Sequence, residues 1–544
     1  MMTTATEPAV QVKWTGHPLV DVGVATLCAL ANVDDPAELT LDDLDKAGEE
    51  IRRAYEMPSM TGFITCVYMN SAYVQPATRE KNPETYKSLV TRMALPHRAP
   101  PDPEAAGLRC VFTGEPAHLV LNRTEVPMLT GVDILNFFPS GQSGLAVSAG
   151  MGQAIHALAL GGRRSEGKLL IVHSDSPELT LEFARKYVRD NRRLISLLRS
   201  NAVTDVVIGP VDGVGREMAG GWDKKNNRPK YPDVKAPESF VMTDLIEIST
   251  AMCSAGRMSG PVSVTTYHMS NSGQGPSLAI EHIPGPFVRF LTELQGPKFG
   301  TRWNALVQRA WRAPKGEVEE SDEGDGAAPK KSRAKKDKGP GISPGAGRSR
   351  NDLYNDLLPI FSNGFLDWWA ATRFVRRHLL CNPKRFFLFD NGYAGTAPRL
   401  DANDFTLIDW ELTAHFLREV LGMNEERIKA IQNFADRLAE IIDVHNDKRL
   451  FQGLVYTSKE WEYRALLTKV QRQYANDRNQ LLFGLEQYLD LFLQTDGGGP
   501  SQWSLVRDLI SIRLVEVLFT KKFFDREGNR EALKGDDKGE QPAE

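Results

Sequence analysis

Lys168–Ser200 reads KLLIVHSDSPELTLEFARKYVRDNRRLISLLRS, and two different periods meet inside it. Lys168–Val172 (KLLIV) is short, apolar and follows a glycine, which is the composition of a buried strand. From Pro177 onward, Leu181, Phe183, Ala184, Tyr187 and Val188 fall on one side of a helix. Asp175–Ser176–Pro177 between them supplies a start signal, because Asp and Ser accept from orphan N–H groups and proline suits the first turn. Strand followed by amphipathic helix predicts mixed α/β structure here. Working outward, Thr204–Ile208 (TDVVI), Ser239–Ile248 and Pro261–His268 (PVSVTTYH) also have strand composition. Gly144–Ala159 is small and apolar and reads as a tightly packed helix, with the aromatics of Ile134–Pro139 before it as core.

The C-terminal part has one period only. Glu425–Val444 repeats apolar residues at Ile428, Ile431, Phe434, Leu438, Ile441 and Ile442. Leu481–Leu493 and Ser504–Phe519 do the same on either side of Gly497–Pro500, and the tail from Arg526 is charged. Between the two regions, residues 314–350 carry an acidic block and then a basic block, with almost no large apolar side chain. Such a segment cannot bury enough surface to offset its ordering entropy, so it reads as a disordered linker or loop. The expected fold class is therefore α+β. A mixed α/β region covers 1–313, the charged segment 314–350, and a helical domain 351–544, whose last bundle starts near Met423.

The bulk numbers exclude several classes. A net charge of −4 leaves nucleic-acid binding to local basic patches. Five scattered cysteines make neither a disulfide framework nor a CxxC zinc site, which suggests a reducing compartment. The apolar run Gly144–Gly162 is broken by Gln153 and His156 and is too polar for a membrane span. The N-terminus shows no signal-peptide pattern, so a cytoplasmic location is expected.

Catalytic signatures are missing. There is no HExxH, no GxSxG and no GxGxxG after a strand. Gly162–Leu169 (GRRSEGKL) has phosphate-loop spacing, but Leu169 stands where a magnesium-holding hydroxyl is needed, and the segment precedes a strand. It reads as a turn. His173 and Asp175 close a strand where α/β enzymes place catalytic groups. They are the site of the competing reading, an α/β enzyme or nuclease, and otherwise they cap and close the strand.

Five segments carry more. Trp14–Gly23 (WTGHPLVDVG) is a turn leading into an apolar helix, with Asp21 placed to cap it. Arg109–Ala117 (RCVFTGEPA) looks like one zinc knuckle, a remnant reaching to about residue 123, with Thr113 where the second thiolate should be. Threonine is no soft ligand, so no metal or other cofactor is expected. Tyr267–Pro284 (YHMSNSGQGPSLAIEHIP) ends a β-branched strand in a small polar turn. Asn271, Ser272, Gly273 and Gln274 could read base edges or hold phosphate there, or simply form an Asx turn. Trp222–Lys235 (WDKKNNRPKYPDVK) sets Lys224, Lys225, Arg228 and Lys230 around Asn226 and Asn227, which suits a nucleic-acid-contacting loop or a solvated one. Arg373, Arg376, Arg377, Lys384 and Arg385 form a further basic candidate.

The order of WTGHPLVDVG, RCVFTGEPA, NFFPSG (Asn136–Gly141) with its Gly-rich continuation, and YHMSNSGQGP with the later Ile283–Pro284 resembles the large subunit of type I CRISPR interference (Cascade) complexes, closest to type I-B. The likeness spans about residues 14–295 and departs from the family at the knuckle, where Cys110 stands alone. The resemblance implies a non-enzymatic subunit near the 5′ end of a CRISPR guide RNA. It implies recognition of the motif flanking the target (the PAM), help in opening the target double-stranded DNA, and contact with the displaced strand. It implies backbone, handle-binding and small subunits as partners, and a helicase-nuclease that docks and cuts. Carried onto this chain, Asn271–Gln274 would contact the PAM or guide handle. Lys224, Lys225, Asn226, Asn227, Arg228 and Lys230 would contact the duplex. In type I-B relatives an internal start yields a free small subunit, and Met423 precedes a suitable amphipathic helix.

Overall fold

Pro18 opens helix α1 (Pro18–Ala31), because its ring presets the helical φ and its missing N–H would have had no partner there. The helix stops at Asn32, which takes a left-handed φ of 60°. Every residue from Val20 to Ala29 is buried, so α1 is a core helix with no solvent face over that span. The computed structural model describes residues 10–57, 60–68, 71, 80–122, 124–128, 144–165, 168–200, 207–208, 219–220, 222–223, 228–229, 237–258, 260, 262–272, 275–312, 350–361, 365–379, 410–457, 459–492, 503–529 and 532. Helix α1 packs on α2 (Leu41–Tyr55), while α3 (Pro83–Ala94) packs on α2 and on α4 (Ala149–Ala157). Helices α4 and the long α5 (Pro177–Ser200) also pack on α1. Gly23 makes the α1–α4 crossing possible, since a Cβ there would run into the carbonyl of Ala154.

Two antiparallel sheets pack on or beside these helices, and two further two-stranded pairings lie between Val207 and Pro229. Strand β1 (Leu119–Leu121) pairs with β2 (Leu145–Val147). The larger sheet has the order β6-β5-β4-β3, with β3 Arg163–Ser165, β4 Lys168–Ser174, β5 Val264–Ser272 and β6 Gly275–Ile283. Leu169 lies opposite Met269 and Ile171 opposite Tyr267, and all four join the core that surrounds α1. Strand β4 and helix α5 therefore form where Lys168–Ser200 predicts them.

Three expectations change in detail. The helix expected over Gly144–Ala159 starts only at Ala149, because Leu145–Val147 is taken up in pairing with β1. Ser239–Ile248 is not a strand but part of helix α6 (Pro237–Ser254). Proline and Glu238 occupy its first turn, and Val241, Leu245, Ile248 and Met252 are buried at helical spacing. Its Asp244 is buried against Arg163 at 3.1 Å and Lys186 at 3.2 Å, a pairing that needs the helical direction. The strand expected from Pro261 begins at Val264. Ile134–Pro139 lies outside the described residues.

The chain divides into two compact units, Met1–Arg289 with 348–350 and 361–364, and Phe290–Gly347 with 351–360 and 365–544. In the second unit, α7 (Gly300–Ala310) packs on α8 (Asp352–Leu357). Asn351 caps α8 and donates its amide to the Val307 carbonyl at 3.0 Å. The charged segment 314–350 lies outside the described residues except for Arg350, and the helices on both sides of it belong to this one unit. The rest is helical: α9 (Glu425–His445), α10 (Lys448–Tyr456), α11 (Glu460–Arg478), α12 (Leu485–Phe492) and α13 (Trp503–Thr520). Helix α9 buries the apolar stripe read from its sequence against α13, and Arg513 ties α13 to Asp436 at 2.7 Å. The fold class is α+β, with a mixed first unit and a helical C-terminal region. Among the described residues no helix is long and apolar enough to cross a membrane.

Candidate functional site

The fourth motif becomes the β5–β6 hairpin. Asn271 pairs with Pro276 and Ser272 with Gly275, while Gly273 and Gln274 lie outside the described residues. Asn271 is half-buried. The β3–β4 hairpin ends at the same side of the sheet, since Ser165 pairs with Lys168 and the next residue, Leu169, pairs with Met269. GRRSEGKL is thus a hairpin that sets Arg164 and Lys168 beside the end that carries Asn271. Cys66 marks the closeness of these groups. Burial pushes its thiol pKa up, and the charge of Arg164 with the backbone of Asn271 and Leu169 offsets part of the rise.

By register Arg164, opposite Leu169, and Asn271, two residues on from Met269, share the core face at this end, while Lys168 leaves the opposite face. A guanidinium beside an amide can bind a phosphate oxygen or a base edge. Sequence reasoning missed Arg164 and Lys168. The signal was present in GRRSEGKL once it is read as a hairpin, because a turn presents its flanking residues together.

The second expected contact is described only in part. Trp222–Asp223 pairs with Arg228–Pro229, and Lys224, Lys225, Asn226, Asn227 and Lys230 lie outside the described residues. Of the further basic candidates, Arg377 is buried and paired with Asp356 at 2.6 Å, and Arg373 stacks over Trp369. Lys384 and Arg385 lie outside the described residues.

The opposite end of the sheet holds the competing pair, and each of its residues has a partner of its own. Asp175 accepts from the Ser263 N–H at 2.8 Å and ties β4 to the start of β5. His173 instead lies 3.6 Å from Asp21. Asp21, from the first motif, accepts from the Thr15 N–H and hydroxyl at 2.7 Å each and from the Gly16 N–H at 2.9 Å. Burial alone would raise its pKa, but the bonds from His173, Thr15 and Gly16 outweigh it and hold the carboxyl below its usual range. The residue at the N-cap position is His17, so Asp21 folds the preceding turn back onto the helix rather than capping it.

Arg109–Ala117 forms a closed turn. Arg109 bridges Pro116, Gly114 takes φ +74°, and the Gly114 N–H donates to the Cys110 carbonyl at 2.8 Å. Burial would raise the Cys110 pKa, but the Thr113 hydroxyl and the N–H groups of Ser148, Phe112 and Thr113 outweigh it and lower it. Among the described residues, no group of three or more His, Cys, Asp or Glu could hold a metal ion.

No family model, curated protein or solved structure matches the chain. The functional reading therefore rests on the chain's own motifs and on the geometry just given.

Proposed function

We propose that this chain is the large subunit of a type I CRISPR RNA-guided DNA surveillance (Cascade) complex in antiviral defence, closest to type I-B. In this reading it does no chemistry. It recognises the PAM, helps open the duplex, contacts the displaced strand and receives the helicase-nuclease. Its partners are the guide RNA, the target double-stranded DNA, and the backbone, handle-binding and small subunits, all in the cytoplasm. The observation that carries the reading is the shared sheet end. Asn271, from the most polar of the four ordered motifs, shares a sheet end and a sheet face with Arg164, and Lys168 leaves the opposite face at the same end. An amide suits a base edge and cations suit the flanking phosphates, the division of labour that PAM reading requires. Lys224, Lys225, Asn226, Asn227, Arg228 and Lys230 supply the duplex contact in this reading.

The test is co-expression of the chain with guide RNA and the neighbouring genes of its locus, purification through a tag on the chain, and selection from target DNA with randomised flanks. A short flanking motif should be enriched, and Asn271→Ala with Gln274→Ala should abolish the enrichment. Lys168→Ala should weaken binding evenly across flanks and reduce the salt slope by about 1. Selection that survives the Asn271 and Gln274 changes would keep the complex and reject the site. Failure to recover RNA or partners would reject the reading. Turnover of DNA or a nucleotide by the chain alone, lost in His173→Ala, would favour the enzyme.

The bundle α9–α13 resembles a small subunit in kind. Met423 is buried and immediately precedes Asn424, the N-cap of α9. A second product beginning at or near Met423 is expected from the native gene. Intact-mass analysis of the purified complex checks this, and a normal complex with no such N-terminus would rule it out.

A further inference from the structure

Helix α11 keeps one face in the bundle and turns the other outward. Tyr463, Leu467 and Val470 are buried at helical spacing. On the opposite side stand Trp461, Ala465, Thr468, Lys469, Arg472 and Asn476, and all six are exposed. Trp461 is 66 % exposed, and no ring or cation stacks on it among the described residues. The residue one turn on is Ala465, whose methyl group leaves that side of the indole open.

The charges of the helix do not cancel on that face. Its carboxylates are engaged elsewhere: Glu460 by Arg464 at 2.5 Å, Glu462 by Lys459 at 3.5 Å and Asp477 by His445 at 3.4 Å. Lys469 and Arg472 have no carboxylate partner among the described residues. They follow Trp461 at about 12 and 16 Å along the helix axis. The face therefore offers a bare ring and then two uncompensated cations. A protein partner needs an apolar centre, and only Trp461 and Ala465 are apolar here. A single strand of nucleic acid needs a ring for a base to stack on and cations for its phosphates. A duplex keeps its bases inside the stack, out of reach of the indole.

We propose that the outward face of α11 binds single-stranded nucleic acid, with a base stacked on Trp461 and phosphates farther along the strand held by Lys469 and Arg472. Stacking on a ring tolerates any base, so the site reads no sequence. The assignment does not depend on the guide-RNA reading.

The test uses the purified full chain at low salt, with fluorescent oligothymidylate and oligouridylate of about 20 nucleotides. At least one of the two should bind saturably. Trp461→Ala should weaken that binding by about 5–100-fold and leave the binding of a duplex of the same length unchanged. Trp461→Phe, which keeps a ring, should restore most of the loss. Lys469→Gln with Arg472→Gln should lower the salt slope by about 1.4, with far-ultraviolet circular dichroism unchanged. A preference of about tenfold or more between the two strands would name DNA or RNA as the ligand and support the site. No saturable binding of either strand, or parent-like binding by the alanine variant, would overturn the proposal. So would an equal loss on the duplex. An oligoglutamate that binds as tightly as the better strand, and is lost equally in Trp461→Ala, would assign the face to an acidic protein and likewise overturn it.

Discussion

Gly23→Ala is expected to destabilise the N-terminal unit by about 3 kcal/mol. For a unit of this size that is a fall in melting temperature of about 6–12 °C. The sign is not obvious beforehand. Alanine is favoured over glycine by about 1 kcal/mol in a helix interior, so on propensity alone the change should help. Packing reverses it. The new methyl group would fall on the carbonyl carbon and oxygen of Ala154, which are backbone atoms and cannot rotate away. Helix α4 cannot slide to make room either. The carbonyl of His156 accepts from the Tyr55 hydroxyl at 2.5 Å, and the carbonyl of Ile155 accepts from the Tyr68 hydroxyl. Gly16→Ala is the control. Its φ of +80° costs an L-residue about 1 kcal/mol, but nothing lies within 4 Å of the added atom. Thermal unfolding of the three proteins decides the matter. A Gly23→Ala chain as stable as the parent would mean that the α1–α4 crossing relaxes freely and is not what fixes the core.

The same crossing shows what the sequence makes legible and what it hides. Lys168–Ser200 is read correctly because a long amphipathic helix carries its own period and its own start signal. The helices of the C-terminal unit are legible for the same reason. Ser239–Ile248 is misread because a short apolar run fits either period, and the deciding facts are the first-turn proline and a buried Asp244 whose partners come from β3 and α5. Within the candidate site, local pieces are visible and juxtapositions are not. WTGHPLVDVG reads as a turn and helix, yet nothing in it announces that Asp21 meets His173 across the core. His173 and Asp175 look like a pair because they are close in sequence, but Asp175 is occupied by the Ser263 backbone. Asn271 is named by its motif. Arg164 comes to share its face only through a strand register that joins residues about a hundred positions apart.

His156→Leu is expected to flatten the acid side of the stability profile. His156 is fully buried in α4, and neither ring nitrogen has a hydrogen-bond partner among the described residues. Burial, aided by the charge of Arg92, lowers its pKa to about 3 from a normal 6.5. The ring is therefore neutral in the folded protein, while the unfolded chain takes up a proton below 6.5. A depressed pKa contributes stability that is complete above the unfolded value and is lost as pH falls through the window toward the folded one. Each pH unit inside that window costs about 1.4 kcal/mol for one proton. At about pH 4.5 the loss relative to neutral pH is about 2–3 kcal/mol, a large part of the stability of an ordinary domain. Carboxylates in ion pairs add a slope of the same sign, so the quantity to measure is the difference between parent and variant. Leucine has no titrating group, fills similar volume, and gives up no hydrogen bond, so at neutral pH the two proteins should agree within about 1.5 kcal/mol. Urea unfolding at about pH 7 and pH 4.5 should then show the variant gaining about 2–3 kcal/mol on the parent at the lower pH. Parallel profiles would mean that the imidazole is reached by water or by a partner that accepts its proton, and that α4 is not the dry centre of this unit.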